Sequence, residues 1–252
     1  MESQRAQTRP ADADDVLGGI PPLSALSRRD LSDLLDRARL RSFERDEFVG
    51  KPGDAPDHAH LVLRGVVWVG TLTPTGQRIP FRLCGPGSLL GIVEVLDEGP
   101  RTHPARALTA GTTALLPASA LRGLAGRSPP FAMALARLAS GIARDSRYLL
   151  AESRSLDVGA RLVRRLFALA EVYGRPALGP WGRGRLIDLP LRHQDLADIV
   201  GASRETVSKA MSRLASSGAL RSDDGRIILI DEPALKRVAR LRSSRGDAQE
   251  LA

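Results

Sequence analysis

The chain has 252 residues, 42% of them hydrophobic and 26% charged, with a formal net charge of +8. That length suits two domains, and those fractions belong to a globular protein rather than a disordered or fibrous one. The single cysteine, Cys84, excludes a disulfide framework and a four-cysteine metal or iron–sulfur centre. No long apolar run is present, which predicts a soluble, cytoplasmic protein without membrane contact. The positive balance points to an acidic partner, and it is uneven. Residues 158–252 hold 17 Lys and Arg against 11 Asp and Glu, a net of +6, whereas residues 1–157 net only +2. An excess gathered in the C-terminal part is the electrostatic footprint of a nucleic-acid-binding module.

Residues 1–22 are polar, include a DADD run and lack periodic apolar positions, so they are expected to be a disordered segment. From Leu23 the text SALSRRDLSDLLDRA places Leu26, Leu31, Leu34 and Leu35 on one face of a helix. Between Arg41 and about Ala120, short apolar runs (FVGK, HLVLRGVVWVGTL, RIPFRLC, ARALTAGTTALL) alternate with Gly, Pro and Asp turns. Many short strands at this spacing predict a β-sandwich or barrel, and residues 23–128 are assigned to it as a sensor domain. Cys84 fits a buried apolar position in one strand. His58 and His60 could turn two imidazoles to one side of a strand, but a metal normally needs three or four ligands and no Cys or third His is near in sequence. No metal site and no cofactor are therefore expected. GPGSLLG and GRG are too short and wrongly placed for a phosphate cradle, and no nucleophile–base pair is evident, so no enzyme is expected.

After RSPP a long helix is predicted from about Pro130 to Leu156, within a segment of residues 129–157. Leu135, Ile142, Leu149 and Leu156 recur every seven residues and Leu138 adds the alternate position, the pattern of a coiled-coil seam and hence of a homodimer. The alternate positions further along are Asp145 and Glu152. A helix lying on its own β domain is the competing explanation of the same leucines.

The stretch LRHQDLADIVGASRETVSKAMSRL, residues 191–214, reads as a helix-turn-helix. Leu196, Ala197 and Val200 give the inner face of a first helix, and Gly201 supplies the left-handed residue that ends it. Ser203 caps the second helix, which buries Val207, Ala210, Met211 and Leu214. Arg204, Glu205, Ser208 and Lys209 are left outward near its N-terminal end, the part of a recognition helix that meets base edges. Arg can bond bidentately to guanine and Glu can accept from cytosine N4, so the adjacent pair suits G·C reading. His193, at the start of the first helix, is expected near the DNA backbone. Downstream, ALRSDDGRIILI is a hairpin signal with Asp224-Gly225 at the turn, and Asp231-Glu232-Pro233 opens a last helix. Residues 158–242 thus form a winged helix-turn-helix domain, followed by a polar tail at 243–252.

ASRETVSKAMSRLASSGAL, followed by DDGRIILIDEPALKRVA, resembles the C-terminal domain of the cyclic AMP receptor protein and Fnr (Crp/Fnr) family of bacterial transcription regulators. The resemblance runs from about Leu23 to Ala239. It implies an α+β protein with an N-terminal cyclic-nucleotide-binding-like β-roll, a long dimerisation helix and a C-terminal winged helix-turn-helix. It also implies sequence-specific regulation of transcription by a homodimer on double-stranded DNA, with RNA polymerase and a small anionic effector as further partners. By this resemblance Arg204 and Glu205 read bases, Lys209 stands where the receptor protein has an arginine, and Gln194, Ser203 and Thr206 contact phosphates. The family's effector cassette reads Gly-Glu-Leu and later Arg-Ser/Thr-Ala. Gly91, Arg101 and Thr102 match it, and Ser146 of the long helix keeps a hydroxyl that touches ligand in the family.

The rest of the cassette departs from that pattern. Ile92 replaces the glutamate that takes the ribose hydroxyl, His103 is bulky where the family keeps alanine, and Pro104 removes a backbone N–H. Glu94, two residues further on, is not expected to reproduce the missing side chain. A regulator not governed by cyclic AMP is the expectation. A second reading stays open: a cyclic-nucleotide-responsive signalling module whose C-terminal domain contacts protein rather than DNA.

Overall fold

A computed structural model describes residues 19–72, 78–177, 183–223 and 225–239. The polar segment through residue 18, Asp224 of the hairpin turn and the tail at 243–252 lie outside them. The chain divides into two compact units, one of Met1–Thr71 with Phe81–Tyr148 and the other of Leu72–Pro80 with Leu149–Ala252.

In the first unit a one-turn 3-10 helix, Leu23–Ala25, leads into α1 (Arg28–Asp36), whose first turn is capped by Ser27 accepting from Asp30 N at 3.1 Å. Ile20 and Pro22 already pack on or within this unit, so order begins ahead of Leu23, inside the segment read as disordered to residue 22. Eight strands follow: β1 (Arg39–Phe43), β2 (Phe48–Gly50), β3 (His58–Arg64), β4 (Val67–Leu72), β5 (Arg78–Cys84), β6 (Leu89–Leu90), β7 (Ala105–Ala107) and β8 (Gly111–Pro117). They form two four-stranded sheets, ordered β1-β8-β3-β6 and β2-β7-β4-β5. Alternation along the strands gives the first sheet two buried faces. One face carries Phe43, Val62 and Leu90 against Val49, Val67, Cys84 and Ala107 of the second sheet. The other carries Ala59, Leu61, Ala114 and Leu116 against helices.

Those helices are α1, α2 (Ile92–Asp97), α3 (Ala118–Arg127) and the first half of α4 (Pro129–Ser155). Sequence periodicity did not single out α3; its apolar positions, Ala118, Ala120, Leu121 and Leu124, are crowded by Gly123 and Gly126, which weaken a helical signal. Helix α4, about 40 Å long at 1.5 Å per residue, turns the face bearing Phe131, Leu135, Leu138 and Ile142 onto its own roll. Leu135 is 1% exposed there.

The second unit begins within α4, nine residues before the boundary read at Val158. Asp157 breaks the helix and caps α5 (Val158–Tyr173) by accepting from Ala160 N at 2.8 Å. Across the break, Glu152 accepts from Arg164 Nη1 at 3.1 Å and from Arg165 Nη2, tying the last turn of α4 to α5. Helix α5 buries Leu162, Val163, Leu166, Leu169 and Ala170 beneath α6 (His193–Val200) and α7 (Arg204–Ser216). Strands β9 (Gly174–Pro176), β10 (Arg185–Ile187), β11 (Leu220–Asp223) and β12 (Arg226–Leu229) form one sheet in the order β11-β12-β10-β9, and α8 (Glu232–Val238) closes the unit. The hairpin read behind the second helix is present, with Asp223 opposite Arg226 and Gly225 at φ 74°.

Candidate functional site: nucleic-acid interface and sensor cavity

Gly201 adopts φ 70° and its N–H reaches the Ala197 carbonyl at 2.9 Å, which stops α6 and turns the chain. Ser203 restarts it: its hydroxyl accepts from Thr206 N at 3.2 Å and lies 2.8 Å from Thr206 Oγ1. Val207, Met211 and Leu214 are buried against the unit. Arg204, Glu205 and Lys209 consequently stand exposed on the first turns of α7, with Ser203 and Thr206 exposed beside them. Gln194 is exposed on α6 and donates to Asp198 Oδ1 at 2.8 Å, which fixes its side chain along the helix. Arg221 and Arg226 of the β11–β12 hairpin are also exposed.

One sequence expectation changes here. His193 Nδ1 and Ser208 Oγ are 2.9 Å apart and both half-buried, so they clamp α6 to α7. Ser208 is therefore not a fully outward residue, and the Nδ1 side of the His193 ring is engaged within the motif. Fifteen residues separate the two, and nothing in local spacing links them.

In the roll, the backbone of Arg101 is pinned to the β2–β3 loop: its N–H donates to the Asp54 carbonyl at 2.9 Å and its carbonyl accepts from Gly53 N at 2.8 Å. Its side chain is 7% exposed. The guanidinium lies over Gly91, where a Cβ would overlap it, and Gly91 is also left-handed at φ 69°. Nη2 donates to the His58 carbonyl, while Nη1 has no hydrogen-bond partner among the described residues and has Glu94 Oε2 3.6 Å away. Thr102 Oγ1 stands 3.5 Å from the other Glu94 oxygen.

Ile92, 1% exposed, points with Val95 into the core under the first sheet. The same short helix thereby turns Glu94 toward Arg101. A cavity of ≈ 40 Å³ remains here, lined by Gly91, Glu94, Arg101, His103 and His60 among others. A water needs roughly 10–15 Å³ and drug-sized ligands about 300 Å³ or more, so this cavity by itself has room for solvent. Ser146, expected at the ligand, does not line it; its hydroxyl donates to the Ile142 carbonyl at 3.0 Å.

A wider cavity of ≈ 260 Å³ shares Gly50, His60 and Arg101 with the smaller one and is lined further by Arg41, Asp54, Asp57 and His58. Its floor is a chain of polar contacts. Asp57 Oδ1 accepts from His58 Nδ1, His58 Nε2 lies 3.1 Å from His60 Nε2, and His60 Nδ1 lies 3.4 Å from Thr113 Oγ1. Burial first, then the charges of His58, Arg101 and Arg41, push His60 down to about 3 from 6.5. The folded state thus refuses a proton that the unfolded chain accepts, so stability is complete above 6.5 and is lost as pH falls toward 3. The thermal midpoint of the wild type should drop between pH 7 and pH 5, and His60→Gln should flatten that slope. An identical acid slope in the variant would show that His60 does not titrate this way.

Comparison with known proteins agrees with this anatomy. The model of the cyclic nucleotide-binding domain matches residues 40–128, and that of the Crp-like helix-turn-helix domain matches residues 160–238. The chain is 26% identical over 227 residues, 90% of its length and all of the relative's, to the CRP-like cAMP-activated global transcriptional regulator of Mycobacterium tuberculosis. It is 29% identical over 221 residues, 88% of its length and 97% of the relative's, to the cyclic AMP receptor protein of Thermus thermophilus. A solved structure of a Crp/Fnr-family transcriptional regulator from Thermus thermophilus superposes with a TM-score of 0.62 at 27% identity, covering 81% of this chain and 100% of the other. A cyclic-nucleotide-binding roll followed by a winged helix-turn-helix defines a two-domain, DNA-binding transcriptional regulator. The chain belongs to the Crp/Fnr family.

Proposed function

We propose that this chain is a homodimeric, sequence-specific regulator of transcription whose DNA affinity is not set by cyclic AMP. The observation that carries the DNA reading is the exposed start of α7. Arg204, Glu205 and Lys209 present base-reading chemistry there, Gln194, Ser203 and Thr206 present hydroxyl and amide groups suited to phosphates, and Arg221 and Arg226 extend the basic surface onto the hairpin. A protein-binding role for this domain would leave its +6 charge and the adjacent Arg204–Glu205 pair without a purpose.

The dimer reading rests on α4, and we place its seam on the face away from Leu135. Leu135 has no surface left for a partner, and Leu138 and Ile142 are half-buried on their own roll. The opposite face carries Met133, Ala136, Ser140, Ala143 and Arg147, all exposed and spaced three and four residues apart. That is the seam spacing, and Ala136, Ser140 and Ala143 are small enough to allow close approach. Leu149 and Leu156 are half-buried near the end of the helix and its exit.

Independence from cyclic AMP is supported by the cavity at Arg101. Ile92 is spent on the core, and a ligand shifts a conformational equilibrium only through differential affinity for its states. The two relatives named for cyclic AMP would suggest the opposite. Selection of bound sites from random DNA, with and without cyclic AMP, tests both halves. Enrichment of a palindrome with half-sites about one helical turn apart, unchanged by cyclic AMP, is expected. A tenfold gain in affinity with the nucleotide, about 1.4 kcal/mol, would reject the second half, and absence of any enriched sequence would reject the first.

A further inference from the structure

We propose that Glu94 is a resident carboxylate that occupies Arg101 in place of an external anion, so that the sensor roll excludes phosphate-bearing ligands. This rests on the reading of the roll as a sensor and goes beyond it by naming the residue that decides which ligand chemistry is refused. A guanidinium buried to 7% exposure needs a counter-charge, since an isolated buried charge is costly. Glu94 is the carboxylate that meets it, at 3.6 Å from Nη1 with a side chain only 16% exposed. Thr102 faces the second oxygen, so the carboxylate sits between the cation and the hydroxyl that would otherwise be shared by an incoming anion.

The placement is enforced from behind. Ile92 and Val95 anchor the six-residue helix α2 in the core, leaving Glu94 on the face toward Arg101. Gly91 lets the guanidinium lie directly over the start of that helix. The pair is nevertheless loose, because Nη1 has no hydrogen-bond partner among the described residues and the cavity beside it has room for solvent. A tight bidentate pair would close that gap. A phosphate placed on Nη1 would sit within a few ångströms of the Glu94 carboxylate, and like charges at that range repel. Removing the carboxylate should therefore leave an unpaired guanidinium with space for a small anion.

The test uses the full chain as wild type, Glu94→Ala and Glu94→Gln, with inorganic phosphate and cyclic AMP as separate probes in calorimetry and chloride as the ionic-strength control. Glu94→Ala should bind inorganic phosphate more tightly than wild type by roughly tenfold or more, and its thermal midpoint should rise with phosphate while that of the wild type follows chloride. If Glu94→Ala does not fold, Glu94→Gln, of the same shape without the charge, should show the same gain. Equal phosphate binding by all three proteins, or tighter binding by wild type, would overturn the assignment. DNA affinity measured on the same samples separates the two readings. Wild-type protein that binds cyclic AMP and gains DNA affinity overturns both the exclusion and the cyclic AMP-independence, whereas unchanged anion binding across the series overturns only the role of Glu94.

Discussion

Arg204→Ala should abolish sequence-specific DNA binding while leaving the fold and the dimer intact. Arg204 is exposed on the first turn of α7, one residue past the Ser203 cap, where a recognition helix meets base edges. A bidentate contact to guanine carries about 1–3 kcal/mol of discrimination, and a dimer makes it twice. Specific affinity should fall by roughly 30-fold to 10⁴-fold, and preference at the matching base pair of each half-site should relax. The fold is insulated from this change, because Val207, Met211 and Leu214 hold α7 from its other face and the Ser203 cap does not involve Arg204. Unaltered thermal stability with lost specificity is the expected pair of results. Selection of the same sites at unchanged affinity would remove α7 from the major groove.

Ala143→Glu should convert the dimer into monomers. Ala143 is exposed, on the side of α4 away from Phe131, Leu135, Leu138 and Ile142, so the new carboxylate is harmless within one chain. In a parallel two-helix seam it would face its own copy across the axis, an unpaired like-charge pair costing several kcal/mol. Sedimentation should show monomers at concentrations where wild type is dimeric, and affinity for a two-half-site duplex should drop with dimerisation. Ile142→Asp is a poorer probe, since Ile142 also packs on its own roll and its loss would destabilise the sensor directly. A dimeric Ala143→Glu protein would move the interface off this face.

The two cases differ in how far the sequence could be read. The helix-turn-helix was legible because its determinants are local: a left-handed Gly201, a capping Ser203 and apolar positions at helical spacing all lie within one short segment. Helix α4 was equally legible as a helix, and its bounds differ from the reading by one residue at each end. What covers its leucine face was not. Leu135, Leu138 and Ile142 have the same spacing whether a partner helix or the chain's own roll lies against them, and only the position of the first sheet decides. Glu94 shows the same limit on a smaller scale. In a helix of six residues, the side that faces the cavity depends on which side chain the core takes, and Ile92 and Val95 fill that place. Contacts between distant residues, such as His193 with Ser208 or Glu152 with Arg164, leave no periodic trace at all.

The most direct measurement of the central claim is the affinity of the full chain for a duplex carrying the selected site and for a random duplex, each followed over a salt series. A steep fall of log K with log salt is expected on both, reflecting several phosphate contacts, at a slope of about −0.9 per contact. Specific binding should be tighter than random by roughly 10³-fold or more. A slope near zero, with no difference between the two duplexes, would contradict the claim that this protein acts on DNA.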